Sequence, residues 1–405
     1  MKLETQKKIV EEILGTPLPE LDPIYREGAE VYMHMSDNTF ITPYLMSEVY
    51  TKEEMRMVML LPATAREVAE AMGLEEEYVE KTLRGMELLG KILSSNVAQP
   101  AIYSPHLNRV AFRDSIGNAY NAYGYDWAPK LKMFKLMNAW IKMDEAPAAA
   151  RDPNRPSSQR VIPKWESIKD LPGVMYCENM KEILERNVRA GTLVTAQCVC
   201  RSYKSYEDLG YYDAEYCKDK TREHGHHDSH CFSVGRQAEF FSKKYPLYHP
   251  TMEEAMERLK EADRSRVIYT APNSRDVVSV CSCCTDCCIM NNYEEAGVLT
   301  VRQASRFRPT WKADACVGCG VCVKRCNYDA IHCNDGVVTI EEDKCKGCGN
   351  CVVTCPTKAL KMKIVHDPDW VPEIPYVDGW SLHDELDEDG REVAQRWGAE
   401  VKESK

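Results

Sequence analysis

Residues 316–326 read Cys-Val-Gly-Cys-Gly-Val-Cys-Val-Lys-Arg-Cys, and residues 345–356 read Cys-Lys-Gly-Cys-Gly-Asn-Cys-Val-Val-Thr-Cys-Pro. This is one Cys-x2-Cys-x2-Cys-x3-Cys run written twice, so that Cys316, Cys319, Cys322 and Cys326 map onto Cys345, Cys348, Cys351 and Cys355. Three thiolates from a tight loop and a fourth from elsewhere are what an iron–sulfur cubane needs at its four corners. In this arrangement the fourth cysteine of each run ligates the cluster of the other run. The spacing therefore predicts two [4Fe-4S] clusters, one on Cys316, Cys319, Cys322 and Cys355, the other on Cys345, Cys348, Cys351 and Cys326. Gly318, Gly320, Gly347 and Gly349 allow positive φ and close approach of the backbone to the cluster. Zinc and disulfides are the competing readings, and zinc sites rarely show this doubled four-cysteine spacing.

The repeat extends beyond the cysteines. Ala330-Ile331 recurs as Ala359-Leu360, and Val337 to Ile340 reads as a strand between the halves. Residues 310–365 resemble the bacterial two-cluster ferredoxin. Pro356 keeps that family's proline after the last cysteine, whereas the first half has Asn327 in its place.

The chain has 405 residues, 44% of them hydrophobic, enough for two or three domains with their own cores. Its 19 cysteines follow a start, Met-Lys-Leu-Glu-Thr-Gln-Lys-Lys, with no apolar signal region behind it, so a reducing, cytoplasmic setting is expected. No apolar stretch reaches the ~18 residues of a membrane span, and direct membrane insertion is not expected. A formal charge of −11 argues against a general nucleic-acid binder. Residues 366–405 hold 12 acidic and 4 basic side chains, a net of −8 that leaves −3 for the rest. This tail contains Trp370, Trp380 and Trp397, and acidic plus aromatic composition suggests an arm that docks, against the alternative of a solvated disordered segment.

Residues 55–95 read as helices followed by an extended piece. Thr64 and Glu67 form a capping box, Gly73 ends the first helix, and Glu75 to Leu89 forms the next with Val79, Leu83, Met86 and Leu89 inward. The arrangement resembles a winged helix–turn–helix. Its second helix, in the recognition position, carries Glu75, Glu76, Glu77, Glu80 and Glu87 against Lys81 and Arg84, so a phosphate backbone would repel it. A protein-contact role is expected there. A helix from Pro129 to Met143 and an Ala-, Pro- and Arg-rich break at 146–156 follow.

The middle of the chain repeats a helix–strand–cysteine order. Asn179 to Ala190 and then Leu193 to Gln197 lead into Cys198-Val-Cys200-Arg201. Thr251 to Asp263, opened by a Thr251/Glu254 capping box, and then Val277 to Val280 lead into Cys281, Cys283, Cys284, Cys287 and Cys288. If both strands pair in one sheet, both cysteine groups emerge at one end. Cys198, Cys200, Cys217 and Cys231 are expected to hold a third cluster with Arg201 tuning it, and the second group a fourth, with zinc or redox-active thiols as alternatives. Cys177 and Cys333 read as core residues. The histidine-rich insert at 223–230 is either a metal-binding loop or a solvated insertion.

Together these features give an α+β multidomain chain. Its parts are a helical winged-helix-like domain at 1–110, a connecting region at 111–175, a small α/β cysteine-rich domain at 176–305, a βαβ-type ferredoxin domain at 306–365 and an acidic tail at 366–405. Most of the chain resembles a group of uncharacterised anaerobe proteins that combine a winged-helix-like start, a Cys-x-Cys-Arg motif, a Cys-x-Cys-Cys-x2-Cys-Cys-like segment and a C-terminal two-cluster ferredoxin, the histidine-rich insert and the acidic tail being departures. The resemblance implies an iron–sulfur electron-transfer protein of strict anaerobes; the expected role is a subunit that relays low-potential single electrons within a soluble anaerobic oxidoreductase, to a flavin- or metal-containing partner in a hetero-oligomer. No nucleotide or flavin fingerprint is visible. A redox-sensing regulator and a reductase with its substrate at a middle-domain cluster are the other readings.

Overall fold

In a computed structural model of the chain, residues 3–33, 40–94, 100–106, 109–142, 157–211, 230–285, 287–291 and 302–373 are described. They divide into two compact bodies, residues 3–142 with 206–211, and residues 157–205 with 230–373. Helices and strands are mixed in both. Among the described residues no helix is long and apolar enough to cross a membrane.

The first body contains helices α1 (Leu3–Leu14), α2 (Pro23–Met33), α3 (Ile41–Val49), α4 (Lys52–Val58), α5 (Ala65–Met72), α6 (Glu76–Leu88), α7 (Arg109–Ala122) and α8 (Leu131–Lys142). Strands β1 (Ala63–Thr64), β2 (Leu93–Ser94) and β3 (Ile102–Ser104) form an antiparallel sheet in the order β1-β3-β2. Local sequence sets the helix starts. Thr51 with Glu54 caps α4, and Thr64 with Glu67 caps α5, each pair exchanging bonds between side chain and backbone. Gly73 at φ 67° then stops α5 in the left-handed conformation that a Cβ disfavours. Val79, Leu83 and Met86 on one face of α6 are buried, as their 3–4 spacing requires. Glu87 departs from the expected acidic surface. It is buried, accepts from Ser94 Oγ at 2.7 Å and pairs with Arg84, so the exposed acids of α6 are Glu76, Glu77 and Glu80, with Glu75 at its N-cap.

The second body is built on a six-stranded sheet. Its strands are β4 (Gln159–Ile162), β5 (Leu193–Gln197), β6 (His230–Val234), β7 (Ile268–Pro272), β8 (Ser279–Cys283) and β9 (Arg302–Gln303), in the order β5-β6-β8-β7-β4-β9. All neighbours run antiparallel except β4 and β9. Residues 159–162, which the sequence places in a connecting region, thus form an inner strand. The two strands expected to lead into the cysteines share this sheet, but β6 lies between them.

One face of the sheet is apolar. Phe232, Val280, Tyr269, Ala271 and Leu193 join a core with Met180, Ile183 and Leu184 of α10 (Met180–Ala190, following the short helix α9, Trp165–Ile168). Ala255 and Leu259 of α13 (Met252–Arg264) complete it, α11 (Val199–Leu209) and α12 (Gly235–Lys244) coming between in the chain. Cys177 lies in this core too. Because strand side chains alternate, the residues between those apolar ones, Cys231, Cys281, Thr270 and Cys283, belong to the opposite face.

The C-terminal repeat adds β10 (Phe307–Trp311) paired with β13 (Leu360–Ile364), and a hairpin of β11 (Ile331–Asn334) with β12 (Val337–Ile340). Ile331, Val338 and Leu360 form its core, against which Cys316, Cys322, Cys326, Cys333, Cys351 and Cys355 pack. The first residues of the acidic tail belong to this body. Trp370 Nε1 donates to Ala304 O at 2.8 Å, Val371 is buried in the sheet core, and Arg275 pairs with Asp369 and Glu373, each at 2.8 Å. Trp380 and Trp397 lie outside the described residues, as do the break at 146–156 and residues 223–229 of the histidine-rich insert.

Candidate metal centres

The two cysteine loops of the repeat share a local construction. Gly320 (φ 69°) and Gly349 (φ 81°) each open a short helix, at Val321–Arg325 and Asn350–Val353. The third cysteine of each run therefore lies in the first turn of its helix. The fourth cysteines are treated alike. Ala330 N–H donates to Cys326 Sγ at 3.3 Å, and 29 residues on, Ala359 N–H donates to Cys355 sulfur, joined there by the N–H groups of Leu360 and Thr357. Burial alone would raise the Cys355 thiol, yet these donors bring it below the ordinary thiol value. An N–H aimed at sulfur favours the thiolate, the form that binds metal.

Cys326 stands with the cysteines of the other run. Its sulfur is an electrostatic neighbour of Cys345, Cys348 and Cys351, and all four line one cavity with Tyr328, Ile331, Gly347 and Gly349. Burial raises all three thiols of that loop, Cys348 to about 12. Loading a metal there must displace protons. The glycines of this loop let it lie close against neighbouring chain, where there is no room for side chains. A Cβ on Gly347 would come within 2.1 Å of Phe307 O, and one on Gly349 within 2.3 Å of Ser167 Oγ. In the first loop, Cys316, Cys322 and Cys355 pack on the common core, while Cys319 is exposed beside Cys322.

The second loop is fastened to the six-stranded sheet. Lys164 N–H donates to Cys348 O at 2.9 Å, and Ser305 N–H to Lys346 O at 3.0 Å. Lys346 Nζ donates to Arg302 O at 3.0 Å, and the Arg266 guanidinium to Cys326 O at 2.9 Å. Asn327 and Asn350 both donate to Arg266 O, at 2.6 and 3.1 Å. Asn327, the departure from the ferredoxin proline, thus supplies a docking bond that proline could not. Arg266 lies two residues before β7, whose Ile268 pairs with Cys283.

The middle cysteines meet in an order their sequence does not announce. Cys198 precedes α11 and Cys200 lies in its first turn, while Cys231 is in β6 and Cys281 and Cys283 are in β8. Hydrogen bonds between thiols join Cys198 with Cys231, Cys231 with Cys281, Cys281 with Cys283, Cys283 with Cys288 (Cys288 Sγ donating, at 3.4 Å), Cys288 with Cys200 and Cys200 with Cys198. Six thiols close a ring. Bonds from neighbouring thiols raise Cys198, Cys231, Cys283 and Cys288, and bonds from Cys231 and Cys283 lower Cys281.

The ring draws on both groups expected from sequence. Cys198, Cys200 and Cys231 were expected with Cys217, which lies outside the described residues, and Cys281, Cys283 and Cys288 with Cys284 and Cys287. The structure joins three from each set, because strand register sets Cys231 beside Cys281. Cys284 and Cys287 are in contact with each other and face Arg201. Among the described residues no three or more His, Cys, Asp or Glu side chains converge on one point as a single metal ion would require; the thiols are close pairwise, around a ring.

Arg201 was anticipated beside these cysteines, and it is buried with its charge toward Cys284, Cys198 and Cys287; burial opposes that charge, and the sulfurs outweigh it. Arg302 was not anticipated. It is fully buried, donates to Asn291, which in turn donates to Cys284 O at 2.9 Å, and its charge acts on Cys283 and Cys288. Nothing near it in sequence marks the role, since it reaches the thiols through β9 at the sheet edge.

Residues 310–362 match the 4Fe-4S dicluster domain family. No curated protein and no solved structure matches the chain. The match implies iron–sulfur clusters in the C-terminal repeat and, with them, iron–sulfur electron transfer.

Proposed function

We propose that this chain is an electron-transfer subunit that exchanges single electrons with partner oxidoreductase proteins. The observation that carries the reading is the grouping of Cys326 with Cys345, Cys348 and Cys351 around one cavity, inside a segment that matches the dicluster family. Those four would hold one cluster and Cys316, Cys319, Cys322 and Cys355 the other, and [4Fe-4S] clusters supply reversible one-electron transfer. The surrounding residues have tuning and docking roles. Backbone N–H groups of Ala330 and Ala359 stabilise charge on the fourth cysteines, and sulfur hydrogen bonds of this kind set reduction potential.

The two loops face different surroundings. The first presents Cys319 and Val317, the latter 67% exposed, which favours it as the side a partner protein reaches. The second is tied by Arg266, Asn327, Asn350 and Lys164 to the sheet that bears the thiol ring, which favours the ring as a further redox centre. A flavin- or metal-containing subunit is the partner this chemistry suits, in a soluble hetero-oligomer of the cytoplasm.

The order β1-β3-β2 behind α5 and α6 supports reading residues 1–110 as a winged helix. The acids at Glu75, Glu76, Glu77 and Glu80 direct it to proteins rather than nucleic acid. The domain limits at 176–305, 306–365 and 366–405 belong to the same reading. Anaerobic purification with iron and sulfide analysis and EPR of the reduced protein tests it. Two [4Fe-4S] signals that vanish when Cys319 and Cys348 are both changed to serine are expected. Stoichiometric zinc on these cysteines in place of iron would sink it.

A further inference from the structure

Six thiols in a closed ring are a site in their own right. They come from four places in the chain: the start of α11 (Cys198, Cys200), β6 (Cys231), β8 (Cys281, Cys283) and the turn after it (Cys288). Strand register sets Cys231 beside Cys281, and Cys288 bonds to Cys200, so the ring does not divide along the two cysteine groups of the sequence. One cubane asks for four thiolates and two ask for eight; the ring supplies six, and Cys284 and Cys287 are in contact with each other beside Arg201. Its surroundings suit an anion. The Arg201 guanidinium is 4% exposed with its charge on Cys198, Cys284 and Cys287, and Arg302 is 0% exposed with its charge on Cys283 and Cys288. Buried positive charge of this kind is stabilised by a negative neighbour, and a thiolate-ligated metal cluster is one.

We propose that Cys198, Cys200, Cys231, Cys281, Cys283 and Cys288 form one metal site that takes a single [4Fe-4S] cluster, with ligands drawn from both cysteine groups. Arg201 and Arg302 balance the cluster charge from either side. This rests on the iron–sulfur reading above and reduces the two middle-domain clusters expected from sequence to one.

The test uses the full chain, purified without oxygen. About twelve irons per chain are expected, eight from the repeat and four from the ring. Two triple variants then separate the groups, Cys198→Ser/Cys200→Ser/Cys231→Ser and Cys281→Ser/Cys283→Ser/Cys288→Ser. Each leaves three ring thiols, and each should lose about four irons and the same EPR signal. The two signals of the repeat should persist in both variants, which also reports that the chain is folded. Different signals lost from the two triples, with about sixteen irons in the parent, would overturn the single site. So would about eight irons with disulfides or persulfides on the ring by mass spectrometry, or zinc in its place. The iron count of the parent protein decides even if a triple variant does not fold. Absence of the repeat signals from the parent would instead remove the electron-transfer reading itself.

Discussion

The chain builds its two cysteine-rich regions by opposite means. In the C-terminal repeat, three of the four cysteines of each set sit within seven consecutive residues, and glycines and a short helix shape the loop. In the ring, contacts span Cys198 to Cys288, and the strand register of β5, β6 and β8 decides which thiols meet. Phe232 opposite Val280 is enough to set the outcome, because one step along both strands brings Cys231 and Cys281 together on the face away from α10 and α13. A one-residue slip in that pairing would send the thiols of one strand to the apolar side. A locally coded site tolerates changes in its surroundings; a register-coded site depends on the whole sheet.

The largest expected effect breaks the repeat at its cross-links. Cys355→Ser should remove the cluster of the first loop and Cys326→Ser that of the second, each costing about four irons. Double variants make the assignment. Cys319→Ser with Cys355→Ser should lose no more than either alone, whereas Cys319→Ser with Cys326→Ser should empty both. If iron analysis gives the reverse, each run holds its own cluster.

A second comparison lies between the equivalent loops. Gly320→Ala meets open space and bears only the left-handed backbone penalty, about 1–2 kcal/mol. Gly347→Ala bears that penalty and also drives its Cβ to 2.1 Å from Phe307 O, a backbone atom with nowhere to go. The second loop should therefore fail to assemble its cluster while the first survives its alanine. Equal iron contents in the two variants would remove the idea that the second loop is the tightly docked one.

Much of this was legible because it is local. The capping boxes at Thr64/Glu67 and Thr251/Glu254, the Gly191 stop of α10 and the strand at Val337–Ile340 all stand where short-range chemistry puts them. What was not legible is long-range. β6 inserts between the two strands that the sequence brings into view, and β4 enters the sheet from a stretch that looks like a connector. Glu87 resembles its exposed neighbours on α6 until Ser94 and Arg84 close over it. The Arg306–Glu178 pair is of the same kind. Both partners are about 2% exposed or less, joined by bonds of 2.8 and 2.7 Å, and nothing in either segment foretells the other.

That pair holds the start of β10, and so the repeat, to the segment before α10. Glu178→Gln leaves Arg306 buried with its carboxylate gone, for which a loss of about 3–5 kcal/mol is expected. Denaturant unfolding of the second body should report it. A change below 1 kcal/mol would mean that Gly173 O and His366 O, which Arg306 also reaches, suffice to hold it.

The smallest effect concerns the apolar side of the sheet. Glu254 caps α13. It accepts from Tyr248 Oη at 2.5 Å and from Thr251 N–H and Oγ1 at 2.7 and 2.8 Å, and these donors, Tyr248 first, pull its carboxyl down to about 2. A folded-state value below the ordinary 4.5 means that the carboxylate adds stability at neutral pH and loses it as the pH falls from about 4.5 towards 2. The protection factors of amides in the first turn of α13, which take out the intrinsic pH dependence of exchange, should fall over that window and stay constant there in Glu254→Gln. α13 packs on the face opposite the thiols, so the same variant at neutral pH should leave the ring's EPR signal unchanged. A shifted signal would mean that the two faces of the sheet are coupled, and the register that assembles the ring would then depend on the helical layer as well as on strand pairing.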